Sequence, residues 1–140
     1  MIAIARRVLD DVRAHAREEA PRECCGILVG RDGQILAHAR ARNLAAGTTR
    51  FELDPADHIR AMRAARQQQM DIVGFYHSHP RSPAYPSPTD VAECGYAGMM
   101  HLIAGVGEQG EELRLFTIVE ARVTELVFSE LLIANRQLLI

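Results

Sequence analysis

The residues best suited to chemistry lie in one stretch, Tyr76–Asp90, which reads YHSHPRSPAYPSPTD. His77 and His79 directly follow Asp71–Tyr76, a short run rich in apolar β-branched and aromatic residues that predicts a buried strand. Alternate side chains of a strand point to the same face, with their Cα atoms about 6–7 Å apart. The two imidazoles are therefore expected to converge on a single metal ion.

The chain after His79 predicts a third ligand on the same side. Prolines at four positions from Pro80 to Pro88 exclude a regular element there and favour a tight, pre-shaped loop. Ser87 then has the features of a helix N-cap, with a proline at the first helical position and Asp90 at the third. The loop is expected to return Asp90 to the strand end that carries the histidines. Two histidines, one carboxylate and an open position are typical of catalytic zinc sites, because structural zinc sites are closed by four ligands.

A hydrolytic zinc site also needs a general base, and Glu23 is the candidate. The base takes a proton from water and passes it to the leaving amine. Glu23 opens the first apolar strand and is followed at once by hydrophobic residues bounded by glycine. From the sequence alone, a solvated acid at a strand end explains Glu23 equally well. Ser87 can stabilise an oxyanion through its hydroxyl, cap the helix, or do both.

Helices and strands alternate along the chain and must position these residues. The predicted elements are an amphipathic helix over Ile4–Glu18 ended by Pro21, strands over Glu23–Gly30 and Gln34–Ala41, a brief strand over Phe51–Leu53, a helix from Asp54 to Met70, the histidine strand, a helix from Pro88 to near Gly95 or Gly98, and strands over His101–Val106, Leu113–Val119 and Val123–Phe128. This order predicts an α/β (α+β) fold with a mixed sheet sandwiched by helices.

Length, charge and cysteine usage narrow the class of protein. The 140 residues suit one domain over 1–140, and a net charge of −2 without a basic block argues against nucleic-acid binding. No apolar run approaches the about 20 residues of a membrane span, and the first residues do not form a signal peptide, so we expect a cytoplasmic protein. Cys24, Cys25 and Cys94 are an odd number with two adjacent, which predicts free thiols.

Residues 129–140 form an apolar C-terminal tail. Its apolar residues are Leu131, Leu132, Ile133, Leu138, Leu139 and Ile140. A chain end of this composition usually packs against another surface. The tail either completes the core or forms a self-contact such as a homodimer, and we favour the self-contact.

The candidate site residues follow one another in a fixed order: Glu23, then His77-Ser78-His79, seven residues, Ser87, two residues and Asp90. This order resembles the signature of the JAMM (MPN-plus) metalloproteases. The Glu-Cys-Cys-Gly opening, the Tyr-His-Ser-His-Pro strand end and the Tyr-Pro-Ser approach resemble the small stand-alone bacterial members in particular. The resemblance covers roughly residues 2–128 and leaves the tail outside.

The resemblance implies a zinc hydrolase with one zinc ion per chain, held by His77, His79 and Asp90. It implies that Glu23 is the general base holding the catalytic water and that Ser87 is the oxyanion donor. The implied fold is JAMM/MPN-like, a mixed sheet with an architecture similar to that of cytidine deaminases.

The family also implies a substrate, the amide or isopeptide bond at the C-terminus of a ubiquitin-like protein. In bacteria this partner would be a sulfur carrier ending in Gly-Gly, and similar small members trim cysteine from such a carrier. The extended tail of the partner is expected to add as a strand beside the active-site groove, with Asn43–Leu53 as one wall. Only glycine is expected to pass the narrow channel to the metal.

Two other functions stay open on the sequence. Two histidines and one carboxylate also form the facial triad of non-haem iron oxygenases, although those sites usually sit in all-β jelly rolls. A non-catalytic module that binds a ubiquitin-like protein without cutting it would also keep the fold. Because all five positions of the signature are filled, the hydrolase is favoured over both.

Overall fold

Eight strands and three helices form within residues 1–132, which the computed structural model describes. In chain order they are β1 (Ile2–Ala5), α1 (Arg6–Glu19), β2 (Cys25–Arg31), β3 (Gln34–Ala41), α2 (Pro55–Gln67), β4 (Asp71–His79), α3 (Pro88–Glu93), β5 (Met100–Gly107), β6 (Gly110–Val119), β7 (Arg122–Leu126) and β8 (Phe128–Leu131). Among these residues no helix has the length and apolar character needed to cross a membrane.

The strands form one mixed sheet in the order β7-β6-β5-β4-β2-β3-β1-β8. Strand β4 lies near its centre, antiparallel to β2 and parallel to β5. Strands β7 and β8 lie at opposite edges, yet only Val127 separates them in the chain. Two residues of chain span at most about 7 Å, so the sheet must curl enough to bring the end of β7 next to the start of β8.

Helices pack on both faces of the sheet, as the sequence predicts. Helix α1 contributes Val8 and Val12 to a buried cluster that includes Tyr76 of β4. Helix α2 contributes Ala61 to a second cluster that includes Phe75 of β4. Because successive side chains of a strand point to opposite faces, each face of β4 meets a different helix.

The predicted first helix was wrong at its start. Residues Ile2–Ala5 form strand β1, which pairs in parallel with both β3 and β8, and α1 begins only at Arg6. Ile4 and Val8 are both fully buried in the same cluster, so their apolar spacing continues unbroken through the strand–helix junction. Helical periodicity alone could not separate the strand from the helix.

The predicted last strand is divided in two. Strand β7 ends at Leu126, Val127 is 76% exposed, and β8 begins at Phe128. The first residues of the tail, 129–131, belong to β8 and complete the sheet beside β1. Leu132 follows β8, and residues 133–140 lie outside the described residues, so the self-contact stays a prediction.

One smaller expectation also differs, and the predicted end of the helix after Ser87 is close to the observed one. The brief strand predicted over Phe51–Leu53 is reduced to a single bridge between Asn43 and Leu53, because the intervening loop turns back on itself. Helix α3 ends at Glu93, just short of Gly95.

Candidate metal centre

Strand β4 places two imidazoles side by side at its C-terminal end. His77 and His79 are only 3% and 4% exposed, and their Nε2 atoms lie 3.1 Å apart. The two side chains share a face because they are two positions apart in the strand. The predicted convergence of the two histidines is therefore present.

The N-terminus of α3 supplies the carboxylate. Ser87 and Asp90 form a capping box, in which the Asp90 N–H donates to Ser87 Oγ and the Ser87 N–H donates to Asp90 Oδ2 at 2.9 Å. The same Oδ2 lies 3.1 Å from Nε2 of His77 and 3.0 Å from Nε2 of His79. The helix cap thus fixes the carboxylate against both imidazoles, and the capping and ligand interpretations are compatible.

Glu23 reaches the same place from the neighbouring strand. It precedes β2, whose first residue Cys25 pairs with His77 across the antiparallel ladder. Glu23 is 4% exposed, so it is a buried acid and not a solvated one. Candidate ligand atoms of Glu23, His77, His79 and Asp90 all lie within 4.8 Å of one another. Among the described residues, Glu23 Oε1 is buried and has no hydrogen-bond partner.

The donor atoms fit a metal ion of the size of zinc. The three atoms contributed by His77, His79 and Asp90 are 3.0–3.1 Å apart. Tetrahedral zinc with bonds of about 2.0–2.1 Å needs donor atoms about 3.3–3.4 Å apart, so a displacement of a few tenths of an ångström suffices. Imidazole nitrogens and a carboxylate oxygen are also the ligand types that zinc takes.

Hydrogen bonds and burial set the protonation of the ligands. His79 Nδ1 donates to the carbonyl of Pro83 at 2.9 Å, so Nε2 faces the cluster, as a lone pair when the ring is neutral and as an N–H donor to Asp90 when it is protonated. Burial lowers the pKa of His79, but its hydrogen bonds with Asp90 and Pro83, together with nearby negative charge, outweigh burial and raise the pKa, so a metal ion must displace this proton. Burial lowers the pKa of His77 and so favours its neutral form. Burial opposes ionisation of Asp90, but hydrogen bonds from His77 and His79 hold the pKa of Asp90 well below its usual range. Neutral imidazole and ionised carboxylate are the forms that bind a metal.

The environment of Glu23 suits a general base. Burial raises the pKa of Glu23 to about 7, with the negative charge of Asp90 adding to the rise and His79 opposing it. A base is most efficient when its pKa lies near the working pH. Glu23 is therefore poised to exchange a proton near neutrality.

Ser87 stands at the N-cap of α3, where its Oγ accepts from the Asp90 N–H at 3.0 Å. A hydroxyl that accepts one hydrogen bond still has its own proton to donate. The capping role predicted for Ser87 is present. The oxyanion role remains a prediction.

A cavity of about 250 Å³ opens beside the ligands. His77 and Asp90 lie on its wall, and its other lining residues include the apolar Phe51, Leu53, Phe75, Tyr96 and Ile103. Cys94 and His101 also line it, with Sγ and Nε2 3.6 Å apart. Burial lowers the pKa of His101 to about 4, so this imidazole is neutral.

Sequence reasoning did not identify three residues that support the site. Ser78 Oγ accepts from the Cys24 N–H at 2.8 Å, Asn43 donates to the Glu23 carbonyl, and the Phe51 ring stacks on His77 with centroids 4.5 Å apart. The alternation of side chains along a strand predicts that Ser78 faces away from the two histidines, so this pattern could have indicated its separate role. Nothing in the sequence pattern marks Asn43 or Phe51.

Comparison with known proteins identifies the family. The chain matches the model described as prokaryotic homologs of the JAB domain over residues 5–119. It is 36% identical over 109 residues to the desampylase of Haloferax volcanii, covering 73% of this chain and 78% of that protein. It is 30% identical over 128 residues to the CysO-cysteine peptidase of Mycobacterium tuberculosis, covering 89% of this chain and 88% of the relative.

Solved structures share the architecture. A protein from Desulfitobacterium hafniense superposes with a TM-score of 0.83 at 29% identity, covering 94% of this chain and 95% of that one. A JAB1/MPN domain protein from Archaeoglobus fulgidus superposes with a TM-score of 0.61 at 17% identity, covering 94% and 97%. The predicted mixed α/β, JAMM/MPN-like fold is confirmed, as is the family resemblance. Because the family model spans most of its length, the chain belongs to the prokaryotic homologs of the JAB domain.

Proposed function

We propose that this chain is a zinc-dependent peptidase that cleaves the amide or isopeptide bond after the C-terminal Gly-Gly of a ubiquitin-like sulfur carrier. One observation carries the proposal: three metal-ligand atoms converge within 3.0–3.1 Å of one another beside a buried carboxyl oxygen that has no hydrogen-bond partner among the described residues. The names of the relatives, a desampylase and a CysO-cysteine peptidase, support the reaction class.

In this proposal His77, His79 and Asp90 hold one zinc ion per chain. When bound, zinc lowers the pKa of water to about 7 and polarises a carbonyl. Glu23 takes the proton of the attacking water and delivers it to the leaving amine. Burial of the carboxyl raises the pKa of Glu23 in the zinc-free chain, which strengthens Glu23 as a proton acceptor. The proposal does not extend to iron chemistry, because the chain matches the JAB-domain family.

Ser87 is assigned a second task besides capping α3. Its hydroxyl proton is not used by the capping bond, since Oγ is the acceptor there. We assign this proton to the oxyanion that develops on the scissile carbonyl. Ser87 and the zinc ligand Asp90 are held in one capping box, so the oxyanion donor and the ligand keep a fixed relation.

The carrier tail is proposed to enter along residues 43–53. Phe51 and Leu53 line the cavity beside His77 and give it an apolar wall. Arg50 of this loop and Glu93 of α3 both line the cavity and form an ion pair at 3.2 Å. We therefore assign the loop to one side of the groove and α3 to the other. An extended tail bound here keeps its backbone close to the ligands, and glycine is favoured because side chains would collide with the walls.

The organisation of the protein belongs to the same proposal. We propose one domain over 1–140, a cytoplasmic location and a self-contact made through the part of the C-terminal tail that follows β8. The described residues contain three free cysteines, Cys24, Cys25 and Cys94. Free thiols of this kind are typical of a reducing compartment. We propose no nucleic-acid or membrane partner.

The direct test is cleavage of a carrier fusion. A ubiquitin-fold sulfur carrier ending in Gly-Gly is extended by one cysteine, incubated with the zinc-loaded protein, and followed by mass spectrometry. Loss of the mass of the added residue is expected. Glu23→Gln should keep zinc yet lose turnover by several orders of magnitude, whereas the exposed Glu108→Gln should cleave like wild type.

Three results would contradict the proposal. An intact fusion after incubation with zinc-loaded protein that still binds the carrier would indicate a binding module. Turnover that needs iron and oxygen would indicate an oxygenase. Near-normal turnover of Glu23→Gln would remove the general-base role from Glu23.

A further inference from the structure

We propose that Asn43 is a positioning residue for Glu23, because its amide joins the Glu23 backbone to the loop that places Phe51 over His77. This inference rests on the proposed function for the role of Glu23 as base. The loop, residues 43–53, is called the Asn43 loop below.

The side chain of Asn43 makes four hydrogen bonds. Its Nδ2 donates to the carbonyls of Glu23 at 2.9 Å and Arg50 at 3.2 Å. Its Oδ1 accepts from the N–H groups of Ala45 and Glu52, both at 2.9 Å. Two donated and two accepted bonds use the full capacity of an amide. They also fix its orientation, since a flipped amide would set like groups against one another.

Glu23 depends on such backbone contacts for its position. Its Oε1 has no hydrogen-bond partner in the described chain, so this oxygen does not anchor the side chain. On the β4 side, Ser78 accepts from the Cys24 N–H at 2.8 Å and donates its own N–H to the Cys24 carbonyl at 3.1 Å. On the other side, Asn43 holds the Glu23 carbonyl. The position of the Glu23 carboxyl therefore depends on a backbone that is hydrogen-bonded to Ser78 on one side and to Asn43 on the other.

A second contact runs in the reverse direction. The guanidinium of Arg22 donates to the carbonyls of Asn43 at 2.8 Å and Ala45 at 2.7 Å. Residues 22–23 and 43–45 are thus joined by three hydrogen bonds, two from Arg22 and one from Asn43. The base and the start of the Asn43 loop form one hydrogen-bonded unit.

The Asn43 loop also touches a metal ligand. Phe51 stacks on the His77 ring, with an interplanar angle of 24°. The loop is closed by the bridge between Asn43 and Leu53, so Phe51 and Asn43 are held together. One loop therefore contacts both the candidate base and a candidate ligand. A displacement of about 1 Å at a catalytic group can cost about 10² in rate, so loosening this loop should reduce turnover.

The test uses two substitutions at the same position. Asn43→Asp keeps the size and the Oδ1 acceptor but sets an oxygen against the Glu23 and Arg50 carbonyls. Asn43→Ala removes all four bonds without adding charge. Both should lower kcat on the carrier fusion about 10–100-fold, raise KM by a smaller factor because the loop also forms the proposed groove wall, and leave zinc at one per chain. If Asn43→Asp lowers kcat while Asn43→Ala does not, the added negative charge and not the loss of positioning is the cause, and the proposal is overturned.

A readout without turnover is backbone NMR. In Asn43→Asp the amides of Ala45 and Glu52 should stay protected from hydrogen exchange, and in Asn43→Ala they should exchange quickly. The ¹³C resonance of the Glu23 carbonyl should move in both variants. An unmoved carbonyl resonance would show that Asn43 does not hold Glu23, whether or not the carrier is cleaved.

A double substitution separates positioning from general damage. If Asn43 acts through Glu23, Asn43→Asp should not slow the residual turnover of Glu23→Gln further. Additive losses, or a raised KM with normal kcat, would overturn the positioning role. Failure of the proposed function looks different, because Glu23→Gln would then cleave normally or wild type would not cleave at all.

Discussion

Two clusters of buried and half-buried polar side chains lie on opposite faces of β4, and they differ in how their hydrogen bonds are satisfied. The front cluster consists of Glu23, His77, His79 and Asp90. The back cluster, on the α1 side, consists of Asp11, His15, His38 and Tyr76. Tyr76 and His77 are neighbours in sequence, yet strand alternation sends them to different clusters. Both clusters contain two histidines and an aspartate, so composition does not distinguish them.

The back cluster pairs donors with acceptors. His15 Nδ1 and the Tyr76 hydroxyl are 2.7 Å apart, and Asp11 accepts from Arg40 through two oxygens at 2.7 and 3.0 Å. The hydrogen bond from Arg40 holds the pKa of Asp11 well below its usual range. Each group thus has a partner of the complementary kind. The back cluster is stable without any ion.

The front cluster sets acceptors against one another. When both imidazoles are neutral, as a metal ion requires, two ring nitrogens and one carboxylate oxygen converge, and the nearby Glu23 Oε1 has no partner among the described residues. Acceptor atoms this close repel one another unless a cation or a bound proton lies between them. Converging acceptors without a donor therefore indicate a functional site more strongly than the presence of histidine does.

The largest effect should come from removing a front ligand. Asp90→Ala or His77→Ala should reduce zinc from about one ion per chain to nearly none, because three ligands are the minimum of a catalytic zinc site. His15→Ala, a matched change in the back cluster, should leave zinc unchanged. Metal content measured by elemental analysis after gel filtration checks both. Equal zinc in all three variants would remove the distinction between the clusters.

The next effect concerns Ser87, which belongs to the helix that carries Asp90. Ser87→Ala should slow turnover about 10²–10³-fold if its hydroxyl donates to the oxyanion. Loss of the N-cap should lower the free energy of unfolding by only about 1 kcal/mol. Asp54→Ala removes the N-cap of α2, where Asp54 accepts from the Ala56 N–H, together with the ion pair of Asp54 with Arg42, and is the control in which another helix loses its cap. A slowdown of less than threefold in Ser87→Ala would leave only the cap.

Much of the front cluster could be predicted because its ligands are close in sequence. The spacing of His77 and His79 and the cap signature of Ser87 and Asp90 are local patterns with known geometry. Glu23 could be named by resemblance, but its burial depends on the pairing of β2 with β4. No local pattern encodes that pairing.

The parts of the fold that the sequence did not predict depend on contacts between distant segments. Strand β1 is a strand because Ile2 and its neighbours pair with Phe128 and the following residues, at the other end of the described chain. A run of four residues has too little periodicity to reveal a partner so far away. Asn43 is a similar case, since its role appears only when the Glu23 carbonyl is placed beside it.

The back cluster should contribute to stability and not to metal binding. Tyr76→Phe removes the hydroxyl and leaves buried His15 Nδ1 without its partner. An unpaired buried polar group costs about 1–3 kcal/mol, so the free energy of unfolding should fall by that amount. Urea unfolding measures the change, and zinc content should stay at one per chain. Loss of zinc in this variant would show that the two faces of β4 are coupled.

The smallest effect is the pH dependence of stability that Glu23 contributes. In zinc-free protein, burial raises the pKa of Glu23 to about 7 from an ordinary value of 4.5. The folded chain therefore binds a proton more tightly than the unfolded chain, and the resulting stability is full below pH 4.5 and lost as pH rises through 7.

The substitution Glu23→Gln isolates the contribution of Glu23 to the free energy of unfolding, because it removes the titrating carboxyl and keeps a side chain of similar size. The stability of wild type minus that of Glu23→Gln should fall between pH 4.5 and 7 and level off above. The fall should be about 1–2 kcal/mol, since each pKa unit is worth about 1.4 kcal/mol before water in the open site screens it. Glu108→Gln, at an exposed position, should show no such trend in urea unfolding across the same range. If the difference in stability between wild type and Glu23→Gln does not change with pH, the Glu23 carboxyl is as well solvated in the folded chain as in the unfolded one. The front cluster would then contain no desolvated acid, and the contrast with the back cluster would be lost.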